Sequence, residues 1–345
     1  MNEISIAVSG INAVDNPGPG VGVVRSIKED KSLQVKVSGL AYDAMEPGIY
    51  LDWLMDRSFV MPYPSSAGAD YLARLLYIKE TAGLDVVIPT LDAELPFYIK
   101  NERELAGHGI NTFLPDKEQF DLRSKEHLTD VADKIGLSVP PTEVVTSHSE
   151  LTAALDRVGF PAMIKGIFYK AYRVHNHLEA ESAFHKIVNE WGYPVLVQKI
   201  VQGDEINVIG VGDGAGESLG NMAIKKLWIT DLGKIWTGVT IDNEPVNRAT
   251  ELFLKKYSWR GAFEIECIAA GDKIYLIEIN PRFPAWVYFA TGAGINLPAR
   301  LLRAALGLPF ERDSTYKPGR LYIRYTYDMV TDADTFQKII TRGES

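Results

Sequence analysis

Short apolar runs and amphipathic stretches alternate along the first 115 residues of the chain. The runs are rich in Val, Ile and Leu, as buried strands are. Between them, apolar residues recur three and four positions apart until a glycine, as in amphipathic helices. The predicted strands are 4–10, 33–40, 84–90 and 110–115, and the predicted helices are 67–83 and 95–109. This order predicts an α/β unit with a parallel sheet.

A second set of elements follows this unit. A helical period covers 122–135, and Gly136 with Pro140–Pro141 prevents the helix from continuing. The elements predicted after it are a helix over 148–159, strands over 160–166, 194–201 and 205–213, and a helix over 297–307. The residues from 311 to 345 are weakly patterned. The 345 residues are therefore expected to form more than one domain.

Composition and charge exclude several classes of protein. The net charge of −9 argues against a binder of nucleic acid or of an anionic membrane, since both need a clustered basic surface. No segment approaches the ~20 apolar residues that span a bilayer. The N-terminal "MNEISIAVSG" predicts a first strand and not a signal peptide. The single cysteine, Cys267, is expected to be a core residue, and its isolation fits a reducing compartment, so the cytoplasm is the expected location.

The segment "AFEIECIAAGDKIYLIEINPR" (262–282) predicts a β-hairpin with an acidic face. With a three-residue loop over 271–273, Glu266 lies opposite Glu278 and Glu264 lies opposite Asn280. Opposed carboxylates repel each other, and a divalent cation between them removes that repulsion. Hard oxygen ligands in small number suit Mg²⁺. The alternative is a solvated polar face on an edge hairpin.

The sequence "YLIEINPR", with Glu266 twelve positions before Glu278, resembles the metal-binding end of the ATP-grasp superfamily. It is most similar to the synthetase domains of the carbamoyl-phosphate synthase large chain, and the resemblance covers about residues 1 to 307. It implies an α/β fold in which a parallel-sheet pre-ATP-grasp domain precedes two ATP-grasp subdomains with the nucleotide between them. The implied boundaries are 1–115 for the first domain, 116–195 and 196–310 for the subdomains, and 311–345 for a C-terminal extension.

The resemblance also implies the nucleotide-binding residues. Lys125 and Lys165 match the two phosphate-binding lysines, and Glu205 matches the acceptor for the ribose hydroxyls. Lys225 or Lys226 matches a lysine near the γ-phosphate. The metal ligands would be Glu266, Glu278 and Asn280. The hinge strand, whose backbone edge reads adenine, matches Gln198, Lys199, Ile200 and Val201. As isolated residues, each of these also has a structural interpretation, such as a solvated helix-end or strand-edge lysine.

One departure from the family pattern is the segment 165–180, "KGIFYKAYRVHNHLEA", which has a single glycine at 166. Related proteins carry a glycine-rich loop over the phosphates at this point. The bulky Phe168 and Tyr169 stand here instead, and Lys170 with Arg173 would replace backbone amides with charged donors. The alternative is that this lid no longer serves ATP and the protein is a non-catalytic binder.

A second departure is Trp236 in "KIWTGVTI", where the similar carbamoyl-phosphate synthase segment has His near the carboxyphosphate site. An indole donates one N–H and carries no charge, which argues against bicarbonate as phosphoryl acceptor. A larger carboxylate with an apolar part fits better. Asp92 and Glu94, in "IPTLDAELP" at the end of a predicted strand, are weaker candidates for binding an amine. The alternative for Trp236 is a core position.

These features predict an ATP- and Mg²⁺-dependent carboxylate–amine ligase, with Mn²⁺ as a substitute metal. A carboxylate of an amino acid or peptide would be phosphorylated, and an amine would displace the phosphate from the acylphosphate. Arg282, Lys225 and Arg173 would contact the transferring phosphoryl group. A homodimer is compatible with the resemblance, and no nucleic-acid or membrane partner is expected. The rival hypotheses are a bicarbonate-using carboxyphosphate enzyme and a non-catalytic nucleotide or peptide binder.

Overall fold

The structure is a computed structural model that describes residues 3–14, 16–64, 68–166, 170–230, 233–310, 315–326 and 328–345. The chain forms two compact units. The first contains residues 1–123, 206–265 and 279–345, and the second contains 124–205 and 266–278.

The strands and helices are numbered in chain order. The strands are β1 (Ile4–Val8), β2 (Ala13–Val14), β3 (Asn16–Pro17), β4 (Val35–Ala41), β5 (Arg57–Val60), β6 (Val86–Ile88), β7 (Thr142–Val145), β8 (Ala162–Gly166), β9 (Ala171–Val174), β10 (Val195–Lys199), β11 (Asp204–Asp213), β12 (Ser218–Ile229), β13 (Ile235–Thr240), β14 (Arg260–Ala270), β15 (Lys273–Asn280) and β16 (Leu321–Ile323). The helices are α1 (Pro19–Glu29), α2 (Ala69–Ala82), α3 (Leu95–Gly107), α4 (Lys117–Asp121), α5 (Lys125–Lys134), α6 (His148–Val158), α7 (His177–Trp191), α8 (Glu244–Tyr257), α9 (Tyr288–Ala293), α10 (Leu297–Ala305) and α11 (Ala333–Arg342). None of the helices in these described ranges is long and apolar enough to cross a membrane.

The N-terminal part of the first unit contains the predicted parallel sheet, with strand order β5-β4-β1-β6. Ile6, in the middle of β1, pairs with Val37 on one side and Val86 on the other, and all three are buried. The predicted strand over 110–115 is wrong, because only Asn111 forms a bridge, to Val86. The residues after it leave the sheet edge instead of extending it.

The six-stranded sheet has the order β15-β14-β11-β12-β13-β16. Helix α8, which the sequence analysis did not assign, packs on β12. Its sequence signal is Asn243, whose side chain accepts a hydrogen bond from the Val246 amide at the helix N-terminus, followed by Pro245 in the first turn. The buried side of α8 includes Phe253, which lies 5.9 Å from the Phe263 ring.

The last two residues of the chain lie against the parallel sheet. Glu344 bridges Phe59 in β5, and the Ser345 amide donates to the carbonyl oxygen of Ser58. In α11, Ile339 is buried. Helix α11 is amphipathic, a local period that the sequence analysis missed, and the contacts of the last two residues with β5 add to its packing.

The second unit is built on an antiparallel sheet of order β7-β10-β8-β9. Helices α6 and α7 pack on one face of it, around a core that includes Leu155, Ile164 and Phe184. The helices predicted over 122–135 and 148–159 are both present, with the first beginning at Lys125. The opposite face of the sheet is therefore the one that neither α6 nor α7 covers.

The acidic hairpin of β14 and β15 is present, but its turn is shorter than expected. Only Gly271 and Asp272 lie between the two strands, so the predicted three-residue loop is wrong. Gly271 has φ +59°, a conformation that glycine adopts without strain. The predicted opposition of Glu266 and Glu278 depended on the longer loop, so the shorter turn removes the basis for that pair. Farther from the turn, the side chains of Glu264 and Asn280 are in contact through a hydrogen bond.

Candidate functional site

The face of the second unit's sheet that neither α6 nor α7 covers carries three of the predicted site residues. Met163 in β8 pairs with Gln198 in β10 and with Arg173 in β9. Paired residues of an antiparallel sheet share a face, and so do residues two apart in a strand. Lys165, Gln198 and Arg173 therefore lie on one face, opposite α6 and α7. The structure thus brings together a half-buried lysine, an amide and an exposed arginine.

Lys125 is the first residue of α5 and lies at the same part of the second unit. Its Nζ donates a hydrogen bond to the carbonyl oxygen of Gly166, at the end of β8. Burial, followed by the positive charge of Lys165, lowers the pKa of Lys125 to about 8, and the charge of Glu278 opposes this shift. A lysine with this pKa is still mostly cationic at neutral pH, in surroundings that disfavour its charge.

Lys165 is more deeply buried. Burial lowers its pKa, and the carboxylates of Glu278 and Glu266 partly oppose the effect. Its Nζ donates to Oε1 of Gln198 at 2.7 Å, and Nε2 of Gln198 donates to Oγ1 of Thr142 at 2.9 Å. The acceptor of the lysine is therefore a neutral amide oxygen. Two adjacent, partly desolvated lysines are the arrangement that a polyphosphate would neutralise. We call Lys125 and Lys165 the lysine pair.

Glu266 and Glu278 lie close enough to Lys165 to raise its pKa, and Glu278 is exposed. Within the described ranges, no group of three or more His, Cys, Asp or Glu side chains could hold a metal ion. A Mg²⁺ that arrives with phosphates needs only one or two carboxylates, because phosphate oxygens and waters complete its shell. The carboxylate oxygens of Glu266 and Glu278, both in the second unit, fit such a metal.

In the first unit, Asn280 is part of a buried hydrogen-bond cluster centred on Glu264, which is 3% exposed. Nδ2 of Asn280 donates to Oε2 of Glu264 at 3.1 Å. Oε1 of Glu264 accepts from Nδ2 of Asn207 and from Nε1 of Trp286, both at 2.8 Å. We call these four residues the Glu264 cluster. Sequence reasoning placed Glu264 on the polar face but assigned it no role.

Arg282 adjoins the Glu264 cluster and is mostly buried. Its Nη2 donates to Oδ1 of Asn280 at 3.3 Å, and its Nη1 lies 3.8 Å from Oε2 of Glu264. Asp92 bridges two arginines, with Oδ2 3.0 Å from Nε of Arg282 and Oδ1 2.8 Å from Nη1 of Arg123. We call Asp92, Arg123 and Arg282 the arginine–aspartate cluster. Asp92 was expected to bind an amine, and here it pairs with guanidinium groups.

Glu94, the other expected amine-binding residue, is fully buried. Its carboxylate accepts hydrogen bonds from the hydroxyls of Ser9 and Tyr42 and from the amides of Thr90 and Leu91. Burial raises its pKa, and these donors oppose the shift. The carboxylate is fully buried and these donors tie it to the loop after β6, so Glu94 has a structural role there and is not accessible to a substrate.

The remaining predicted residues have the following positions. Lys199 is exposed at the end of β10, Ile200 and Val201 follow it, and Glu205 is near the start of β11. Lys225 in β12 pairs with Ile206, in the first unit. Residues Phe168 and Tyr169 of the predicted lid lie outside the described residues, and Lys170 beyond them has φ 69°.

Two single residues resolve alternatives left by the sequence. Trp236 is partly exposed and lines a shallow cavity of about 430 Å³ together with Trp228 and Thr237, so it is not a core residue. Cys267 is buried as expected, and burial, with the nearby charge of Glu266, raises the pKa of its thiol to about 12. A thiol with this pKa is not a nucleophile at neutral pH.

Comparison with known proteins gives relatives in both sequence and structure. No family model matches the sequence. The carbamoyl phosphate synthase large chain of Saccharolobus solfataricus is 23% identical over 305 residues, 77% of this chain and 28% of that protein. The acetyl-CoA carboxylase of Dictyostelium discoideum is 29% identical over 202 residues, 55% of this chain and 9% of that protein. The chain thus spans less than a third of the length of either relative.

Among solved structures, a biotin carboxylase from Campylobacter jejuni matches with a TM-score of 0.67 at 19% identity, over 89% of this chain and 72% of its own. The biotin carboxylase domain of the Hydrogenobacter thermophilus 2-oxoglutarate carboxylase, solved as a dimer with MgADP, ADP and bicarbonate, gives 0.68 at 17% identity, over 92% and 73% of the two chains. The chain has the ATP-grasp fold. The resemblance to ATP-grasp proteins, predicted from "YLIEINPR", is confirmed. The ATP-grasp fold also accounts for a parallel sheet followed by antiparallel sheets in one chain.

Proposed function

We propose that this chain is an ATP- and Mg²⁺-dependent ligase that joins a carboxylate to an amine and releases ADP and phosphate. The observation that carries the proposal is the lysine pair. Burial lowers the pKa of both Lys125 and Lys165, and their hydrogen-bond acceptors are a carbonyl and an amide oxygen. Such a pair destabilises a protein unless an anion of several charges binds it. The relatives with the same fold are ATP-dependent ligases, which supports ATP as that anion.

The proposed reaction has two steps. An oxygen of the substrate carboxylate attacks the γ-phosphorus of ATP, the bond to the β-phosphate oxygen breaks, and ADP leaves. The amine nitrogen then attacks the acylphosphate carbon, phosphate leaves with its electron pair, and the amine loses a proton to solvent. The chain's own residues position and neutralise the reactants, as in other phosphoryl transfers. The lysine pair holds the phosphates, and Arg282 with Lys225 and Arg173 contacts the transferring group.

Glu266, Glu278 and Asn280 are the residues that would hold Mg²⁺. When bound, the metal would supply positive charge to the phosphate oxygens. The carboxylates also keep Lys165 protonated, since their charges raise its pKa. Gln198 orients the Lys165 ammonium through its 2.7 Å hydrogen bond. The backbone of Gln198 to Val201, with Glu205, would bind the adenosine portion.

The test is ADP release from MgATP with amino acids and short peptides added singly and in pairs. If the chain is a ligase, ADP release should be fastest when a particular carboxylate and a particular amine are both present. Release with the carboxylate alone should be slower, and release with the amine alone should not occur. Glu278→Gln should abolish the signal, and the surface variant Glu143→Gln, which alters an exposed pair with Arg157, should keep it. Calorimetric binding of MgADP without ADP release under any condition would favour the non-catalytic binder.

The second candidate is a bicarbonate-using enzyme that forms carboxyphosphate. The observation that favours it is the matched biotin carboxylase domain solved with bicarbonate. The partly exposed Trp236 weighs against it, because an uncharged indole with one N–H donor is a poor partner for a small anion such as bicarbonate. ADP release that depends on bicarbonate alone, in a buffer freed of carbon dioxide and then resupplied with bicarbonate, would establish this candidate.

The matched biotin carboxylase domain is also a dimer, so a homodimer is the corresponding proposal for this chain, to be checked by light scattering.

A further inference from the structure

The amide of Asn280 has a fixed orientation in the Glu264 cluster. Glu264 as a carboxylate can only accept hydrogen bonds, and Arg282 can only donate them. The 3.1 Å contact with Glu264 Oε2 therefore must come from Nδ2 of Asn280, and the 3.3 Å contact with Arg282 Nη2 must go to its Oδ1. The two neighbours specify the same orientation, with the oxygen directed away from the carboxylate.

Glu264 itself is held in place from the other side. Its Oε1 accepts from Asn207 and from the indole of Trp286, each at 2.8 Å, and Asn207 and Trp286 are 1% and 3% exposed. These two donors come from β11 and from the loop after β15. Together with Asn280 of β15, three separate segments therefore fix one carboxylate. A buried carboxylate is costly unless several donors and a nearby positive charge satisfy it, and Arg282 Nη1 at 3.8 Å supplies the charge.

From this geometry we propose that Glu264 is a positioning residue, which orients the Asn280 amide so that its oxygen, and not its nitrogen, is presented to the metal of a metal–nucleotide complex. The inference rests on the proposed function, because Asn280 is a metal ligand only under that function. It assigns Glu264 a role that the acidic-face pattern alone did not. Partners that orient metal ligands typically contribute 10- to 100-fold to metal affinity or activity.

The decisive substitution is Glu264→Gln, which is nearly isosteric. Its Oε1 still accepts from Asn207 and Trp286, and an NH₂ group replaces the oxygen that faces Asn280. Two NH₂ groups then meet, so the Asn280 amide must turn over and present nitrogen, which does not bind a metal. We expect the affinity for Mn²⁺ in the presence of ADP, measured by electron paramagnetic resonance, to fall about 10- to 100-fold.

The exchange variant Glu264→Gln with Asn280→Asp provides the rescue. The NH₂ group of the introduced glutamine then donates to the introduced carboxylate, whose second oxygen is free to bind the metal and to accept from Arg282. The single variant Asn280→Asp instead places two carboxylates at the 3.1 Å contact and should bind Mn²⁺ more weakly than the exchange variant. Glu102→Gln is the control: it alters a half-buried glutamate of the first unit that pairs with Arg260, and it should bind Mn²⁺ as the wild type does.

The Mn²⁺ affinities of these variants decide whether Glu264 orients Asn280. Weak binding by Glu264→Gln and recovery in the exchange variant support the proposal. Wild-type affinity in Glu264→Gln overturns it, and so does an exchange variant no better than either single variant, since that pattern marks a general structural role. If Glu264→Gln does not fold, as judged by its melting curve, the Mn²⁺ affinity of the exchange variant is compared with that of Asn280→Asp, and the same prediction is tested by that comparison. Wild-type protein that binds no Mn²⁺ with ADP overturns the proposed metal site and this inference together, whereas a failure confined to the variants leaves the proposed function standing.

Discussion

Two groups of cations in this chain have opposite surroundings. In the second unit, the lysine pair donates hydrogen bonds to a carbonyl and an amide oxygen, and burial lowers both pKa values. In the first unit, Arg123 and Arg282 meet at the Asp92 carboxylate, with contacts of 2.8 and 3.0 Å. A desolvated cation with neutral acceptors gains from a bound anion, whereas an ion-paired one already has its counter-charge. The lysine pair therefore suits a ligand, and the arginine–aspartate cluster contributes first to the stability of the protein.

The largest expected effect comes from placing a third cation beside the lysine pair. Glu278→Lys replaces a charge that supports protonated Lys165 with one that opposes it, and it removes a proposed metal ligand. ADP release should fall by about 1000-fold. The assay is steady-state ADP release, with Glu143→Gln as the surface control. Retention of more than a tenth of the activity would show that the hairpin carboxylate is not part of the site.

Removing one member of the lysine pair should separate stability from activity. Lys165→Met deletes a desolvated charge and keeps the volume, so the melting temperature of the nucleotide-free protein should rise by a few degrees. ADP release should fall by about 100-fold, and the stabilisation by added MgADP should shrink. Scanning calorimetry with and without MgADP measures both. A lower melting temperature in the free protein would mean that Lys165 is a stabilising structural lysine.

The same kind of change in the arginine–aspartate cluster should act in the opposite direction. Asp92→Asn leaves two guanidinium groups without their shared carboxylate, so the free energy of unfolding should fall by about 2 kcal/mol. ADP release should drop only about tenfold, through looser placement of Arg282. Urea unfolding measures the first effect. Asp121→Asn, in an exposed pair with Lys117, is the control and should change stability by less than about 1 kcal/mol. A stability loss no larger than that of the control would remove the contrast between the two groups.

The smallest expected effect is the uptake of a fraction of a proton when the nucleotide binds. The pKa of Lys125 is lowered to about 8 in the free protein, and bound phosphate should raise it again. Binding of MgADP near pH 8 should therefore take up about half a proton, and affinity should weaken as the pH rises through 8. Calorimetry in two buffers of different ionisation enthalpy measures the uptake, which Lys125→Met should abolish.

The same shift sets the dependence of stability on pH. Between pH 8 and the ordinary lysine value of 10.5, Lys125 is protonated in the unfolded chain but largely neutral in the folded one. The unfolded state then binds more protons, so this lysine makes folding more favourable as the pH rises through that window. Below pH 8 Lys125 is charged in both the folded and the unfolded state, and the full cost of burying its charge then lowers the free energy of unfolding.

The parts that sequence could predict were those carried by local periodicity and spacing. The parallel sheet, helices α2, α3, α5 and α6, and the acidic hairpin all have such signals. The turn at Gly271–Asp272 was predicted one residue too long, because a Gly-Asp pair is compatible with more than one turn length. The residues from 311 to 345 were described as weakly patterned, but α11 has an amphipathic period that was missed, with Ile339 on its buried side. Only the bridge of Glu344 to Phe59 depends on a residue too distant to show in a local pattern.

The site divides in the same way. Lys165 and Gln198 were identified through the resemblance to ATP-grasp proteins, and the pairing of their two strands is a finding of the structure. The Glu264 cluster was not identifiable, because Asn207 and Trp286 reach it from segments 57 and 22 residues away. Asp92 was assigned to an amine because nothing local indicates that Arg123 and Arg282 converge on it.

The most direct test of the account is the affinity for MgADP, measured by calorimetry for the wild type and for the double variant Lys125→Met/Lys165→Met. The lysine pair is the proposed phosphate site, so we expect the wild type to bind and the folded double variant to bind at least about 100-fold more weakly. Equal affinity in the two proteins, with intact melting curves, would contradict the assignment of the phosphates to these lysines.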